Sequence, residues 1–132
     1  MFLAGRTLAK LDEVSEEITV SGGVAETARV DARDERAVEE HAAAVAEKGG
    51  GVDILFNAIG MEDVQGTPLL DMPLEDFARP IIVATRTQFL TARAVARRMV
   101  EQGSGVILTI TAGPAPAKPF PTSAASTPPA PR

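Results

Sequence analysis

Short apolar runs alternate along the chain with stretches whose apolar residues recur at helical spacing, and glycines or capping residues mark each switch. Phe2 to Gly5 reads as a strand end, after which Thr7 caps a helix carrying Leu8, Leu11, Val14 or Ser15, and Ile18 on one face. Ser21-Gly22-Gly23 punctuates, and Ala28-Arg29-Val30 reads as a second strand ending at Asp31. Asp34 caps the next helix, whose Val38, Ala42 and Val45 face a core before Gly49-Gly50-Gly51 ends it. The continuous apolar run from Val52 to Phe56 reads as a buried parallel strand emptying into Asn57-Ala58-Ile59-Gly60. A loop with Gly66, Pro68 and Pro73 leads to a long helix with a stripe of Ile82, Thr85, Phe89, Ala92, Ala96 and Met99. Gly103-Ser104-Gly105 stops it, and Val106 to Ile110 is the last strand. Strands and helices alternating over short connections specify parallel pairing in a layered α/β sheet.

After Thr111 the pattern stops. Seven of the ten prolines lie between Gly113 and Arg132, where missing backbone donors and restricted dihedrals oppose both helix and central strand. The chain thus divides into a folded part, 1–112, and a Pro/Ala/Ser-rich tail, 113–132, expected to be disordered. The segments Lys118-Pro119-Phe120-Pro121 and Thr127 to Arg132 also suit docking as a polyproline helix, although a solvated tail needs no ligand.

Composition narrows the partners. With 132 residues, 45% of them hydrophobic, the chain is one globular domain's worth. A net charge of -5 argues against nucleic acid and anionic membrane surfaces, leaving small molecules and protein surfaces. No apolar run is long enough to span a bilayer, and no signal peptide opens the chain. The absence of cysteine removes disulfides and thiolate chemistry and fits a cytoplasmic location.

Four segments together carry a resemblance to the short-chain dehydrogenase/reductase family of NAD(P)-dependent oxidoreductases, over about residues 1–112. Phe2 to Thr7 resembles that family's second strand, and Asp31 the acid ending its third. Asn57-Ala58-Ile59-Gly60 resembles its Asn-Asn-Ala-Gly segment, and Val106 to Ala112 its fifth strand. The resemblance implies a partial Rossmann-like parallel sheet with flanking helices, lacking the family's first strand, and a chain incomplete at both ends.

It also implies roles. Ligands bind at the carboxyl ends of strands in such sheets, so Arg6, Asp31, Asn57, Ala58 and Gly60 would line one edge. Arg6, following a strand that ends in Gly5 rather than an acid, would pair a ribose 2′-phosphate, which favours NADP over NAD. Asp31 would accept from the adenine amino group. Asn57 would bridge neighbouring strands, and the small Ala58 and Gly60 would let the backbone approach the cofactor. Taken alone, the same residues also fit a solvated arginine, a turn or capping aspartate and a strand-ending asparagine.

The departures concern chemistry. No G-x-G-x-x-G or similar spacing supplies the family's pyrophosphate turn. The family's general acid/base is a tyrosine assisted by Lys, Ser and Asn, and this chain has no tyrosine; Ala112 and Ala84 stand where the Ser and Asn would be. Thr111 is one residue early and should point to the opposite face of its strand. His41 sits among alanines, Glu16-Glu17 and Glu39-Glu40 read as solvated faces, and Arg79, Arg86 and Arg93 read as a water-facing basic stripe. None is a metal or catalytic cluster.

In the family's strand order the missing strand lies centrally, so its absence predicts two separate strand pairs with bare edges. Losing several buried side chains at ~1.5–3 kcal/mol each costs on the order of 10 kcal/mol, against a net domain stability of about 5–15 kcal/mol. The expected result is a marginal chain, inactive alone. The alternative is a non-enzymatic interaction module. It would pair with a full-length relative through the tail or through the long helix, which in the family forms part of a dimer interface.

Overall fold

The computed structural model describes residues 1–60, 64 and 66–110. The expected tail, 113–132, and the positions Thr111 and Ala112 lie outside these residues. Eight elements follow in order: β1 (Phe2–Gly5), α1 (Leu8–Val20), β2 (Glu26–Arg29), α2 (Glu35–Gly49), β3 (Ile54–Asn57), a 3-10 turn (Leu69–Asp71), α3 (Leu74–Gln102) and β4 (Val106–Thr109). The alternation is that of an α/β fold.

Local chemistry sets the boundaries. Asp34 caps α2, its carboxylate accepting the Arg36 and Ala37 amides at 3.0 and 3.2 Å. Gly103 ends α3 at φ 80, a left-handed conformation that costs glycine little, and the Gly103 and Ser104 amides close onto the Met99 carbonyl. Thr7 holds the N-cap position of α1 with no side-chain cap. The second strand begins earlier than the apolar pattern indicates, at Glu26 rather than Ala28. Its ladder nevertheless reaches Val30, whose amide donates to the Gly5 carbonyl at 2.9 Å. On α1 the half-buried positions are Leu11, Ser15 and Ile18, while Leu8 and Val14 are exposed.

The strands form two separate parallel pairs, β1 with β2 and β3 with β4, each joined through a helix. Among the described residues this is the split sheet expected above from the sequence. The core sits between α2 and α3 over the start of β3, built from Val38, Ala42, Val52, Ala94, Val95 and Met99, with Val30, Val45, Ala46 and Leu55 packed against it.

Two expectations about burial fail in part. Val52, just before β3, is buried, but in β3 Phe56 is 59% exposed and Ile54 also faces out. Their partners across the pair, Val106 and Leu108, share that face, and no described residue covers it. On α3 the expected stripe is buried only toward its C-terminal end: Ile82 is 61% and Phe89 60% exposed, Ala92 and Ala96 are half-buried, and Met99 is buried. Burial falls on Pro80, Thr87, Leu90, Ala94, Val95 and Met99, the face turned to the sheet and α2. Periodicity identifies a helix with two apolar faces; the neighbours decide which one is buried. No helix among the described residues is long and apolar enough to cross a membrane.

Candidate functional site

Parallel strands bring their carboxyl ends together within each pair, and the predicted residues stand at the ends of the two pairs as two groups. The bond from the Val30 amide to the Gly5 carbonyl puts Arg6 and Asp31 just beyond adjacent ladder positions of β1 and β2. Asp31 is held by Arg33: its Oδ1 accepts the Arg33 amide at 3.0 Å and Nε at 3.1 Å, and its Oδ2 accepts Nη2 at 3.0 Å. These hydrogen bonds hold the Asp31 carboxyl below the usual carboxylate range, with the charges of Arg33 and Arg6 adding to the shift and slight desolvation opposing it. Arg6 is exposed and close enough to act on Asp31 electrostatically.

The second group ends β3. Asn57 is 4% exposed, and its Nδ2 donates to Thr91 Oγ1 at 2.8 Å while Oδ1 accepts the Ile59 amide at 3.4 Å. The Thr91 hydroxyl donates in turn to the Thr87 carbonyl at 2.9 Å. The expected bridge between strands is therefore a different contact: the side chain ties β3 to α3, and only the Asn57 carbonyl reaches β4's extension, accepting the Ile110 amide at 3.0 Å. Burial forces this geometry, because an unpaired amide under α3 would cost about 1–3 kcal/mol. Ala58 and Gly60 are exposed, and a methyl group built on Gly60 would meet nothing within 4 Å.

Ala84 lies half-buried on α3 with only a methyl side chain. His41 is half-buried on α2, and desolvation pushes its pKa down. Among the described residues no cluster of three His, Asp or Glu side chains could hold a metal. Two open hollows flank the start of α3, between Glu75, Ala78, Arg79, Ile82 and Val83 and between Leu69, Met72, Leu74 and Phe77; neither is lined by a strand-end residue.

The expected solvated charges are partly wrong. Arg93 pairs with Glu35 and lies 4.0 Å from Glu39, and Arg97 pairs with Glu39 at 3.1 Å, so these residues join α2 to α3. Arg79 pairs with Asp76 one turn away. The sequence reading misses two polar contacts. The Asp31-Arg33 clamp has a local signal in its i to i+2 spacing, whereas the Asn57-Thr91 bond joins residues 34 apart and has none.

Comparison with known proteins gives consistent matches. A family model described as enoyl-(acyl carrier protein) reductase matches residues 3–123. An uncharacterized oxidoreductase of Bacillus subtilis is 33% identical over 100 residues, covering 76% of this chain and 36% of that protein. L-rhamnose 1-dehydrogenase (NAD(P)(+)) of Azotobacter vinelandii is 37% identical over 92 residues, covering 70% of this chain and 35% of that protein. Among solved structures, a metagenomic short-chain oxidoreductase in complex with NADP superposes with a TM-score of 0.73 at 31% identity, over 88% of this chain and 53% of that one. The chain spans 35–36% of the length of these two curated relatives.

Proposed function

From the premise that the chain belongs to the short-chain dehydrogenase/reductase family, whose members are NAD(P)-dependent oxidoreductases, we propose that its strand ends form the adenosine-side wall of an NADP site. The observation that supports this most directly is the placement of Arg6 and Asp31 together at the carboxyl end of the β1–β2 pair. The open edge at Ala58 and Gly60 forms the neighbouring wall. Arg6 offers a charge-assisted contact to a 2′-phosphate, while a free 2′-hydroxyl would call for an acid at Gly5.

Hydride transfer by these 132 residues alone is not part of the proposal. The sequence has no tyrosine, and Ala84 and Ala112 cannot donate or accept a proton. Titrating isotopically labelled protein with NADP tests the reading: amide shifts are expected at Arg6, Asp31 and Asn57 to Gly60, with no NADPH oxidation on adding carbonyl substrates. Shifts confined to other residues overturn the wall, and NADPH oxidation above background overturns the inactivity.

A second reading is favoured by the exposed Ile81, Ile82 and Phe89 of α3. This face would bury itself against a second copy or a full-length relative. Sedimentation showing a monomer that binds no such relative would remove it.

A further inference from the structure

We propose that the gap between β1 and β3 is a binding slot for one extended apolar peptide segment, supplied from outside these 132 residues, whose backbone pairs with both strands at once. The slot is independent of the nucleotide reading.

Helix placement sets the two open edges opposite each other. The Phe2 ring lies beside Gly49 at the end of α2, whereas a methyl group built on Gly5 would stand 3.4 Å from the Leu11 side chain of α1. Successive strand residues alternate, so α2 covers one face of the β1–β2 pair and α1 the other. On β3, Asn57 reaches Thr91 of α3 and Leu55 packs against the α2–α3 core, so both these helices roof one face. Right-handed crossovers through α1 on one face and through α2 and α3 on the other give the order β2, β1, β3, β4. No ladder joins the inner two. Their separation follows from the roof: α3 stands over β3, α2 stands over β1, and the helices pack directly through Val38, Ala42, Ala94 and Val95. Packed helices lie ~8–10 Å apart, about two strand spacings of ~4.8 Å, which leaves one strand position between β1 and β3.

Both edges of that position offer bonding groups. The Glu26 and Val30 amides donate to the Met1 and Gly5 carbonyls, so alternation turns the N–H and C=O of Phe2 and Ala4 away from β2. In the same way the Val106 and Ile110 amides donate to the Asp53 and Asn57 carbonyls, which turns those of Ile54 and Phe56 into the gap. Among the described residues neither set has a backbone partner. An open edge is a template for an added strand, and two facing edges satisfy it on both sides.

The slot selects its occupant. Alternate residues of an inserted strand would meet the core beside Leu55 and the face on which Ile54 and Phe56 stand exposed, so apolar side chains suit every position. Each residue also needs its N–H, which excludes proline. Residues 111–132 do not qualify: their longest proline-free run, Thr122 to Thr127, has no large apolar side chain. A second copy brings the same four strands, each already paired.

The test adds to the full chain a synthetic peptide of five alternating valines and isoleucines between lysine pairs, with amide hydrogen exchange as the readout. The Phe2, Ala4, Ile54 and Phe56 amides should all exchange at least about tenfold more slowly with peptide bound. Two further peptides carry N-methyl groups on the odd or on the even amides of the five, each blocking one edge of the strand and leaving charge and side chains unchanged. In a two-edged slot both should bind at least about fivefold more weakly, the loss of roughly one hydrogen bond. A smaller loss for either overturns the inference, because pairing with a single edge or apolar adhesion to Ile54 and Phe56 tolerates the methyl groups. Protection confined to β1 or to β3 overturns it too, as does failure of the unmethylated peptide to bind.

Discussion

Replacing Gln102 should destabilise the chain far more than its place at the last turn of a helix indicates. Its side chain acts as a fragment of neighbouring strand. Oε1 accepts the Val52 amide at 3.0 Å, and Nε2 donates to the Val52 carbonyl at 2.8 Å and to the Ser104 carbonyl at 2.8 Å. Val52 is 8% exposed and immediately precedes the β3–β4 ladder, whose first bond runs from the Val106 amide to the Asp53 carbonyl. In Gln102→Ala the Ser104 carbonyl rehydrates freely, but the two Val52 groups lose their partners at about 1–3 kcal/mol each, less what entering water returns. The gain in helix propensity is below ~0.7 kcal/mol. The net loss is about 2 kcal/mol, a large fraction of any small domain's stability. Gly51→Ala probes the same latch from the other side. At φ 145 a side chain is strained there, and its Cβ would stand 2.6 Å from Gln102 Oε1. Urea unfolding followed by circular dichroism measures the loss, and amide exchange at Val52 localises it. The two substitutions should be strongly non-additive. A loss under ~0.5 kcal/mol for Gln102→Ala, with Val52 exchange unchanged, would refute the reasoning.

Asn57→Ala removes the tie between β3 and α3 and should cost about 1–3 kcal/mol; a double-mutant cycle with Thr91→Val should return a coupling of roughly 1 kcal/mol, and independence would sink the contact. The folded-state pKa of His41 is lowered by burial, so the unfolded chain takes up the proton first. Stability from this group is therefore complete above about pH 6.5 and is lost as pH falls from there toward the folded value, a slope that His41→Gln should remove from unfolding curves. Asp31 acts lower on the scale. Its contribution is present above its unfolded pKa and fades as pH falls through the depressed folded one, and Arg33→Ala should shrink that loss in acid titrations. Native-state hydrogen exchange should show β1 and β2 amides opening at lower free energy than those in the middle of α3, and equal values would contradict the packing.

How far the sequence was legible depends on the range of the interaction. Element type and order follow from local signals, as at Asp34, which caps α2, and Gly103, which ends α3. The placement of Arg6 and Asp31 at the end of one strand pair and of Asn57 at the end of the other follows from parallel topology, a global rule readable from alternation. The face of α3 did not follow. Ile82 and Phe89 fit the helical period as well as Leu90 and Ala94 do, and only contact with α2 and β3 selects the second pair; Met99, at the end of the expected stripe, is buried. Asn57 finding Thr91, Arg93 finding Glu35 and Glu39, and Gln102 finding Val52 are all pairings across more than 30 residues, which no spacing encodes.

The distribution of burial bears on how the candidate site works. The core cluster belongs to α2, α3 and the residues at β3's start, whereas α1 buries no residue and β1 is at most half-buried. Asn57 and Thr91 therefore stand on the well-packed part of the molecule. Arg6 stands on the other, attached to it through β2 and Val30 and through Phe2, whose ring lies close beside Gly49. A ligand bridging Arg6, Asp31 and the Ala58 to Gly60 edge would span both parts. Its binding free energy would add directly to the stability of the weaker one, because anything that binds only the ordered form shifts the opening equilibrium by mass action. In a molecule whose sheet is two unjoined pairs, ligand affinity and local folding of β1 and β2 then become one measurement. Substitutions that loosen α1, far from any ligand contact, should weaken nucleotide binding by the factor by which they lower the ordered, binding-competent fraction.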